Sequence, residues 1–162
     1  MKDFYIRSRT DQGYIWKPMK GDVVKNELGM QLYIYHNEEL VRKTGKTTWW
    51  YVVEASTGMS LTKGETKKEA LDNLTKLNET TLNYVRQGIR KYVKQNGYPP
   101  NFVPLAGYDI LDGVTDDAPF LHHTETIEEA RDWCEGHRDT HPMMAIFQRE
   151  ESGGMMYCEG IY

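Results

Sequence analysis

The chain has 162 residues, 39% hydrophobic and 27% charged, with a formal net charge of −4. This length allows one sizeable core or two small ones, and the composition is typical of a folded protein rather than a disordered one. The apolar runs are too short for a membrane-spanning helix, and no apolar stretch of a signal peptide follows the initial Met. Two cysteines cannot form a disulfide framework, so we expect reduced thiols and a cytoplasmic location.

The first 62 residues alternate short apolar segments with turn signals, which predicts an antiparallel meander. Val23 to Gly29 is ambiguous and could form a short helical turn closed by Gly29. The strongest strand signal runs from Thr47 to Glu54. The other predicted strands are Phe4–Arg7, Tyr14–Trp16 ending at Pro18, Leu32–His36, Leu40–Lys43 and Met59–Thr62, with turns at 10–13, at Thr44-Gly45 and at 56–58.

A helix is predicted to begin at Thr66, where Thr66-Lys67-Lys68-Glu69 has the pattern of a capping box. Apolar residues then recur with helical period, and Gly97 with the two following prolines ends the pattern. The result is a helix of up to about 28 residues, roughly 40 Å long at 1.5 Å per residue. Since a small sheet cannot cover that length, the helix either breaks near Asn78 to Thr81 or projects toward a partner, such as a second copy of the chain.

The last third of the chain repeats this order of elements. A second capping box, Thr126-Ile127-Glu128-Glu129, lies 60 residues after the first and opens a helix from Ile127 to about Glu135. Either a hairpin–helix unit is duplicated, or the physics of helix starts selects the same residues twice. The predicted strands of this segment are Tyr108–Leu111, Phe120–His122, Met143–Arg149 and Met155–Ile161.

Residues 47–74 carry a strand, a Thr57-Gly58 turn, a second strand and the helix start from Gly64 to Ala70. This stretch resembles the partial double-stranded-RNA-binding fold of HicB-type antitoxins. The resemblance implies a sheet-plus-helix unit. It does not extend to the DNA-binding element usual at the C-terminus of that family, because a hairpin-rich acidic segment stands there.

Charge is distributed unevenly along the chain. Residues 101–162 hold thirteen Asp and Glu against three Arg and no Lys, a net −10, whereas residues 1–100 have a net +6. Such asymmetry is informative about partners. The carboxylates of Asp116, Asp117, Glu128 and Glu129 could bind a basic protein surface, as nucleic-acid mimics do, or the basic half of a second copy. The alternative is a solvated lobe that maintains solubility.

The acidic segment also contains both cysteines and four of the five histidines. Cys134, His137 and His141 have a spacing that a helix would bring to one face, and Cys158 could complete a Cys2His2 zinc site. Against zinc, Gly136 and Pro142 predict that the helix ends before His141, and an apolar helix face explains the same pattern without a metal. A cysteine nucleophile with a nearby histidine, as in a small hydrolase, lacks an orienting third residue.

Two further surfaces could bind an anionic ligand. Arg86, Arg90 and Lys94 recur on one face of the long helix, which suits recognition of phosphates or carboxylates, although a solvated cationic face near a helix C-terminus is also common. Trp49 and Tyr51 share one face of their strand. If that face is open, its rings could stack bases, with cations nearby at Arg42, Lys43 and Lys46.

We therefore expect an α+β fold, in which an antiparallel β-meander packed on a long helix (1–100) precedes a smaller acidic hairpin–helix–hairpin unit (101–162); one compact domain is the alternative. In size, aromatic content and charge polarity the chain is similar to accessory proteins that phages and mobile elements encode against host defences. The predicted function is a small non-enzymatic inhibitor of a host nucleic-acid-handling or defence protein. The alternatives are a module that binds a nucleotide or nucleic acid, and a zinc protein or small hydrolase.

Overall fold

The structure, a computed structural model, describes residues 1–38 and 49–161 and confirms the α+β class. The predicted strand Leu40–Lys43, the turn Thr44-Gly45, residues Thr47 and Thr48 and the cations Arg42, Lys43 and Lys46 lie outside these residues. The described part of the chain contains nine strands in two antiparallel sheets, and three helices. None of these helices is long and apolar enough to cross a membrane.

The first sheet is a meander with strand order β1-β2-β3-β4-β5. Its first two strands are longer than predicted, and β2 continues through Pro18, because β2 pairs there with β1 and meets β3 only from Asp22 onward. A proline is tolerated where one edge of the strand makes no ladder. The predicted helical turn at 23–29 is wrong, since Val23 and Val24 belong to β2. The strands are β1 (Lys2–Thr10), β2 (Gly13–Val24), β3 (Leu32–His36), β4 (Trp50–Glu54) and β5 (Met59–Gly64).

The second sheet has strand order β7-β6-β8-β9. The bounds of β6 and β9 are those predicted from the sequence, and the bounds of β7 and β8 differ by one or two residues. The short apolar segments and the turn signals between them were therefore sufficient to locate these strands. These strands are β6 (Tyr108–Leu111), β7 (Phe120–Thr124), β8 (Met144–Arg149) and β9 (Met155–Ile161).

The predicted long helix is two helices, α1 (Lys67–Thr75) and α2 (Glu79–Asn96), with a break at 76–78. The prediction that the helix breaks is therefore confirmed, and the break lies close to the predicted position near Asn78 to Thr81. The third helix, α3 (Ile127–His137), follows the second capping box, in which Thr126 accepts from the Glu129 amide while the Glu129 side chain accepts from the Thr126 amide. Both N-caps are where the sequence predicts them, since capping chemistry is local. In the first, Thr66 accepts from the Glu69 amide, but the Glu69 carboxylate is shown accepting from the Glu65 amide rather than from Thr66, so the predicted capping box is only half formed.

Contacts between Cα atoms divide the chain into two compact units. The first unit comprises Met1–Asn26, Met30–Asn78 and Tyr98–Phe102, and the second comprises Glu27–Gly29, Glu79–Gly97 and Val103–Tyr162. Helix α2 thus belongs to the second unit, whereas the sequence division placed it with the first hundred residues.

Both units contain the same hairpin–helix arrangement, and the likeness extends beyond the caps. A third strand pairs antiparallel with the first hairpin strand in each case, β3 with β4 and β8 with β6. Both hairpins also carry an irregularity at the same place, because the register skips Leu61 in one and Leu121 in the other. Helix-start chemistry alone does not produce a matching bulge, so the likeness includes the sheet. The matching strand pairs are Tyr51–Lys63 with Asp109–His123, Val52–Thr62 with Ile110–His122, and Val53–Ser60 with Leu111–Phe120.

In the first unit, helix α1 covers one face of the hairpin, where the Thr62 hydroxyl donates to the Ala70 carbonyl oxygen. We call the opposite face of each hairpin sheet its second face. On the second face of the first unit, Phe4 of β1 stacks on Tyr33 with 4.9 Å between ring centroids, and Tyr35 stacks on Tyr51 at 5.8 Å. Phe4, Tyr35 and Val53 are buried. The β1–β2 hairpin thus covers an aromatic layer that the sequence left open to a ligand.

Candidate functional site

The sheet of the second unit is covered by helices on both faces. On one face, Ile110 and Met144 pack with Ala130 and Cys134 of α3, and all four are fully buried. On the second face, the Asn83 side chain of α2 accepts from the Phe120 amide, and the Arg86 guanidinium lies 3.9 Å from the centroid of the Phe120 ring. Helix α2 therefore contributes polar side chains to the interior of its own unit.

A buried carboxylate lies at the centre of this second face. Asp109 is only 4% exposed, although it occupies a strand of otherwise apolar residues. The Nε of Arg149 lies 3.0 Å from both of its carboxylate oxygens, and Nδ1 of His123 lies 2.7 Å from Oδ1. A carboxylate bound in this way fixes the orientation of the imidazole and leaves Nε2 as the nitrogen available to another group. Asp109, His123, Arg149, Arg86 and Arg90 are hereafter the charged cluster.

The arginines of the cluster also bind the short segment Glu27–Gly29. Nη2 of Arg149 donates to the Gly29 carbonyl at 2.6 Å, and Nη2 of Arg86 donates to the Leu28 carbonyl at 3.1 Å. Gly29 has φ +71, and a Cβ there would lie 2.8 Å from the Phe120 ring. A side chain is therefore excluded at this point, which brings the Gly29 backbone close to the cluster.

The predicted basic stripe is divided by the structure. Arg86 and Arg90 are half-buried and face the sheet, whereas Lys94 is exposed. Nη2 of Arg90 donates to the Asp116 carbonyl at 2.7 Å. The interpretation of Arg86 and Arg90 as a solvated cationic face is thus corrected, because these side chains bind backbone oxygens inside their own unit.

Electrostatics within the cluster are unbalanced toward positive charge. Burial lowers the pKa of Arg86 to about 10, and burial is also the main cause that lowers the pKa of Arg90. Both groups remain cations at neutral pH, and both interact with Asp109 and with the like charge of Arg149. Three guanidinium groups therefore interact with one buried carboxylate, and of the three, Arg149 is the one shown hydrogen-bonded to it. Glu79 attracts Arg86, and Asp116 attracts Arg90, more strongly than Asp109 does, and Asp117 also attracts Arg90. All three of these acids are exposed, so water and salt screen their attraction.

Two nitrogen atoms of the cluster are buried with no hydrogen-bond partner among the described residues: Nε2 of His123 and Nε of Arg86. Such atoms in a native fold call for an explanation, and a bound ion, ligand or water is among the usual ones. Gly107, with φ +110, lies directly beside this imidazole, and a Cβ there would lie 3.1 Å from His123 Nε2 and 2.4 Å from the Thr124 carbonyl oxygen. The backbone conformation at Gly107 is therefore possible only because glycine has no side chain.

The first unit shows that this hairpin arrangement does not require a buried carboxylate at this position. The pair Tyr51–Lys63 occupies the place of Asp109–His123; there Tyr51 packs its ring on Tyr35, and Lys63 is exposed. Buried ion pairs stabilise a fold little compared with apolar packing, and perturbed ionisable groups concentrate at functional sites. The charged cluster is therefore our candidate functional site.

The other predicted binding residues lie apart from this cluster. Trp49 is half-buried with the Lys63 ammonium 5.2 Å from its ring, and Tyr51 lies in the covered aromatic layer. Asp116, Asp117, Glu128 and Glu129 are all exposed, as predicted for a surface. The carboxylate of Glu129, however, also accepts backbone hydrogen bonds in the α3 cap.

The predicted zinc ligands do not form a metal site. Among residues 1–38 and 49–161, no group of three or more His, Cys, Asp or Glu side chains could hold a metal ion. Cys134 is buried in the core and burial raises the pKa of its thiol to about 11, while Cys158 packs against the same core. Nδ1 of His137 lies 2.7 Å from the Trp133 carbonyl, and His141 follows the end of α3, with Nδ1 3.5 Å from Asp112. The apolar helix face therefore accounts for the pattern.

No protein-family model, curated protein or solved structure matches the chain. The hairpin and helix implied by the resemblance of residues 47–74 are present as β4, β5 and α1. The resemblance to HicB-type antitoxins itself stays a prediction, and it carries no antitoxin function over to this chain.

Sequence reasoning identified Arg86 and Arg90 but missed Asp109, His123 and Arg149. One signal was present in the sequence, because Asp109 is a charged residue between apolar neighbours in the strand Tyr108–Leu111. Its partners are 14 and 40 positions away, so the pattern of one strand cannot reveal them.

Proposed function

We propose that the chain is a binding protein whose second unit recognises a small phosphate-bearing ligand, such as a nucleotide, through the charged cluster. The observation that carries this proposal is a buried cluster in which Asp109 hydrogen-bonds Arg149 and attracts Arg86 and Arg90, while Nε of Arg86 and Nε2 of His123 have no hydrogen-bond partner among the described residues. A bound anion would compensate the excess positive charge of Arg86 and Arg90, and guanidinium groups are well suited to phosphate oxygens.

The two unpartnered nitrogens support the same ligand class. Nε of Arg86 always carries hydrogen and can donate to a phosphate oxygen. Nε2 of His123 can accept from a protonated phosphate oxygen when the imidazole is neutral, or donate to an anionic oxygen when it is protonated. A phosphate group is one of the few small ligands that satisfy both kinds of partner.

Thermal unfolding with inorganic phosphate and with nucleoside mono- and triphosphates tests this proposal. A ligand present at 100 times its Kd stabilises the folded state by about 2.7 kcal/mol, which raises the Tm of a small unit by roughly 10 °C. Arg86→Gln should weaken binding at least about tenfold, because a charge-assisted hydrogen bond contributes about 1.5–3 kcal/mol. The matched control is Arg131→Gln, which changes an exposed arginine of the same unit that pairs with Glu159.

An Arg86→Gln protein that is destabilised without ligand would complicate the comparison, so Arg90→Gln serves as a second variant with a weaker expected effect. Unchanged Tm of the wild-type protein up to millimolar phosphate and nucleotide would contradict the proposal. Equal weakening in Arg86→Gln and Arg131→Gln would also contradict it.

A second candidate function is inhibition of a host protein that has a basic surface, and a phage-type accessory role in the cytoplasm belongs to this candidate. The exposed side of α3 favours it, because Glu128 and Asp132 are exposed one helical turn apart, next to exposed Glu125. Neutralising Glu128 and Asp132 together should abolish the salt-sensitive retention of a basic protein from host extract. The control changes Asp3 and Asp11 of the first unit, and retention insensitive to salt would contradict this candidate.

A further inference from the structure

The outer end of the β1–β2 hairpin combines arginines with two aromatic rings, of which Tyr14 is exposed and Trp16 is half-buried. Arg7 pairs with Trp16 across the strands and Arg9 pairs with Tyr14, so these four side chains share one face of the hairpin. Tyr14 is 61% exposed, and the neighbouring Ile15 is 50% exposed. Ile15 lies on the opposite face of the strand, so Tyr14 supplies the exposed ring of this face.

Arg7 organises the two rings of this face. Its guanidinium carbon lies 5.3 Å from the centroid of the Tyr14 ring and 5.0 Å from that of the Trp16 ring. Cation–π contacts of this kind restrict both rings. The rings are therefore held in a row along the strand with an arginine beside them, rather than dispersed over the surface.

The charge of this part of the chain indicates the occupant. Of the three cations of residues 5–18, Arg7 and Arg9 lie on this face and Lys17 lies on the other; Asp11 is the one acid of this stretch, in a protein whose net charge is −4. A surface that places arginines beside aromatic rings is complementary to a polyanion with flat bases. Proteins that bind single strands combine a cationic track for the phosphates with rings on which successive bases stack.

We propose that this face, formed by Arg7, Arg9, Tyr14 and Trp16, is a binding surface for single-stranded nucleic acid. Bases stack on Tyr14 and Trp16, and Arg9 contacts a phosphate. This surface lies entirely in the first unit and involves no residue of the charged cluster, so it is independent of the function proposed above.

Fluorescence anisotropy of a labelled 12-nucleotide oligothymidine, titrated with the full chain at 50 mM salt, tests the inference. Tyr14→Ala should weaken binding at least about fivefold, since loss of one base–aromatic stack typically has an effect of that size or larger. Arg9→Gln should reduce the slope of log affinity against log salt by about 0.7, the value for one phosphate contact on a single strand.

The controls are Tyr84→Ala, which removes the 79% exposed tyrosine of α2, and Arg131→Gln of α3. Both should bind the oligonucleotide as the wild-type protein does. Because Tyr14 and Arg9 are exposed, their variants should keep the wild-type Tm, which separates loss of binding from loss of folding. Three results would overturn the inference: no binding at 50 mM salt, equal weakening in the controls, or tighter binding of a duplex of the same length.

Discussion

The two hairpin–helix units share strand register, a bulge and a capped helix, yet their second faces are filled by different chemistry. In the first unit, Tyr51 packs in an aromatic layer beneath β1, whereas in the second unit Asp109 binds a histidine and an arginine beneath α2. The same arrangement of strands is therefore compatible with either an aromatic layer or a charged cluster on its second face. Apolar packing stabilises such a face without the desolvation free energy of buried charges. The charged cluster of the second unit is therefore the arrangement that requires a functional reason.

The largest expected effect on the free energy of unfolding comes from removing the negative charge of Asp109. Asp109→Asn leaves Arg149 buried beside a neutral amide, and breaking a buried ion pair typically costs about 3–5 kcal/mol. The corresponding change in the first unit, Tyr51→Phe, keeps the ring stacked on Tyr35 and should cost below about 1.5 kcal/mol. Urea denaturation measures the free energy of unfolding of both variants. Similar losses in the two variants would contradict the contrast between the faces.

A smaller effect is expected where the helix approaches the sheet. Gly64 in the first unit corresponds to Thr124 in the second, and a Cβ on Gly64 would lie 2.5 Å from the Ala70 amide nitrogen. Gly64→Ala should therefore cost about 1–3 kcal/mol through overpacking. Gly88 is the matched control, because nothing lies within 4 Å of its Cβ position in α2, and Gly88→Ala should stabilise the chain by about 0.5–1 kcal/mol. Thermal unfolding distinguishes the signs of the two effects.

The helix caps should show a more subtle difference. Thr66→Ala and Thr126→Ala should each cost about 1 kcal/mol, because both hydroxyls accept from a first-turn amide. Glu129 accepts from two backbone amides, whereas a single amide bond, from Glu65, is shown for the Glu69 carboxylate. Glu129→Ala should therefore lower the free energy of unfolding more than Glu69→Ala does. The reverse order in urea denaturation would show that the closed capping box contributes nothing measurable.

The smallest expected effect is a dependence on pH in the second unit. Burial lowers the pKa of His122 below its usual 6.5, and the neighbouring His123 and His137 act in the same direction, while Glu27 opposes them. Since the unfolded chain then takes up a proton more readily than the folded one, stability is complete above pH 6.5 and decreases as the pH falls below it. His122→Phe, which keeps a ring beside Trp133, should lose part of the difference in Tm between pH 7.5 and 5.5. If the Tm difference between pH 7.5 and 5.5 is the same in His122→Phe as in the wild-type protein, the pH dependence arises from other groups.

Local signals in the sequence were reliable guides to the fold. Both capped helix starts and strands β6 and β9 were predicted because they depend on neighbouring residues. The sequence did not reveal that β1 folds over the tyrosines of β3 and β4, because that arrangement depends on contacts between distant segments. It also indicated the wrong environment for Arg86, since a polar stripe on a helix is expected to face water, whereas this one faces Asp109.

The bond from Arg149 to the Gly29 carbonyl joins positions 120 residues apart in the chain. During synthesis, residues 27–29 leave the ribosome long before β8 exists, so their contact with Arg149 can form only after β8 has been synthesised. Closure over such a separation is expected to be slow compared with formation of the hairpins. A fragment that begins at Glu79 would contain the helices and strands of the second unit but not the Leu28 and Gly29 carbonyls that Arg86 and Arg149 bind. The second unit is thus assembled from segments far apart in the sequence, and the joining of these segments is expected to be late in folding.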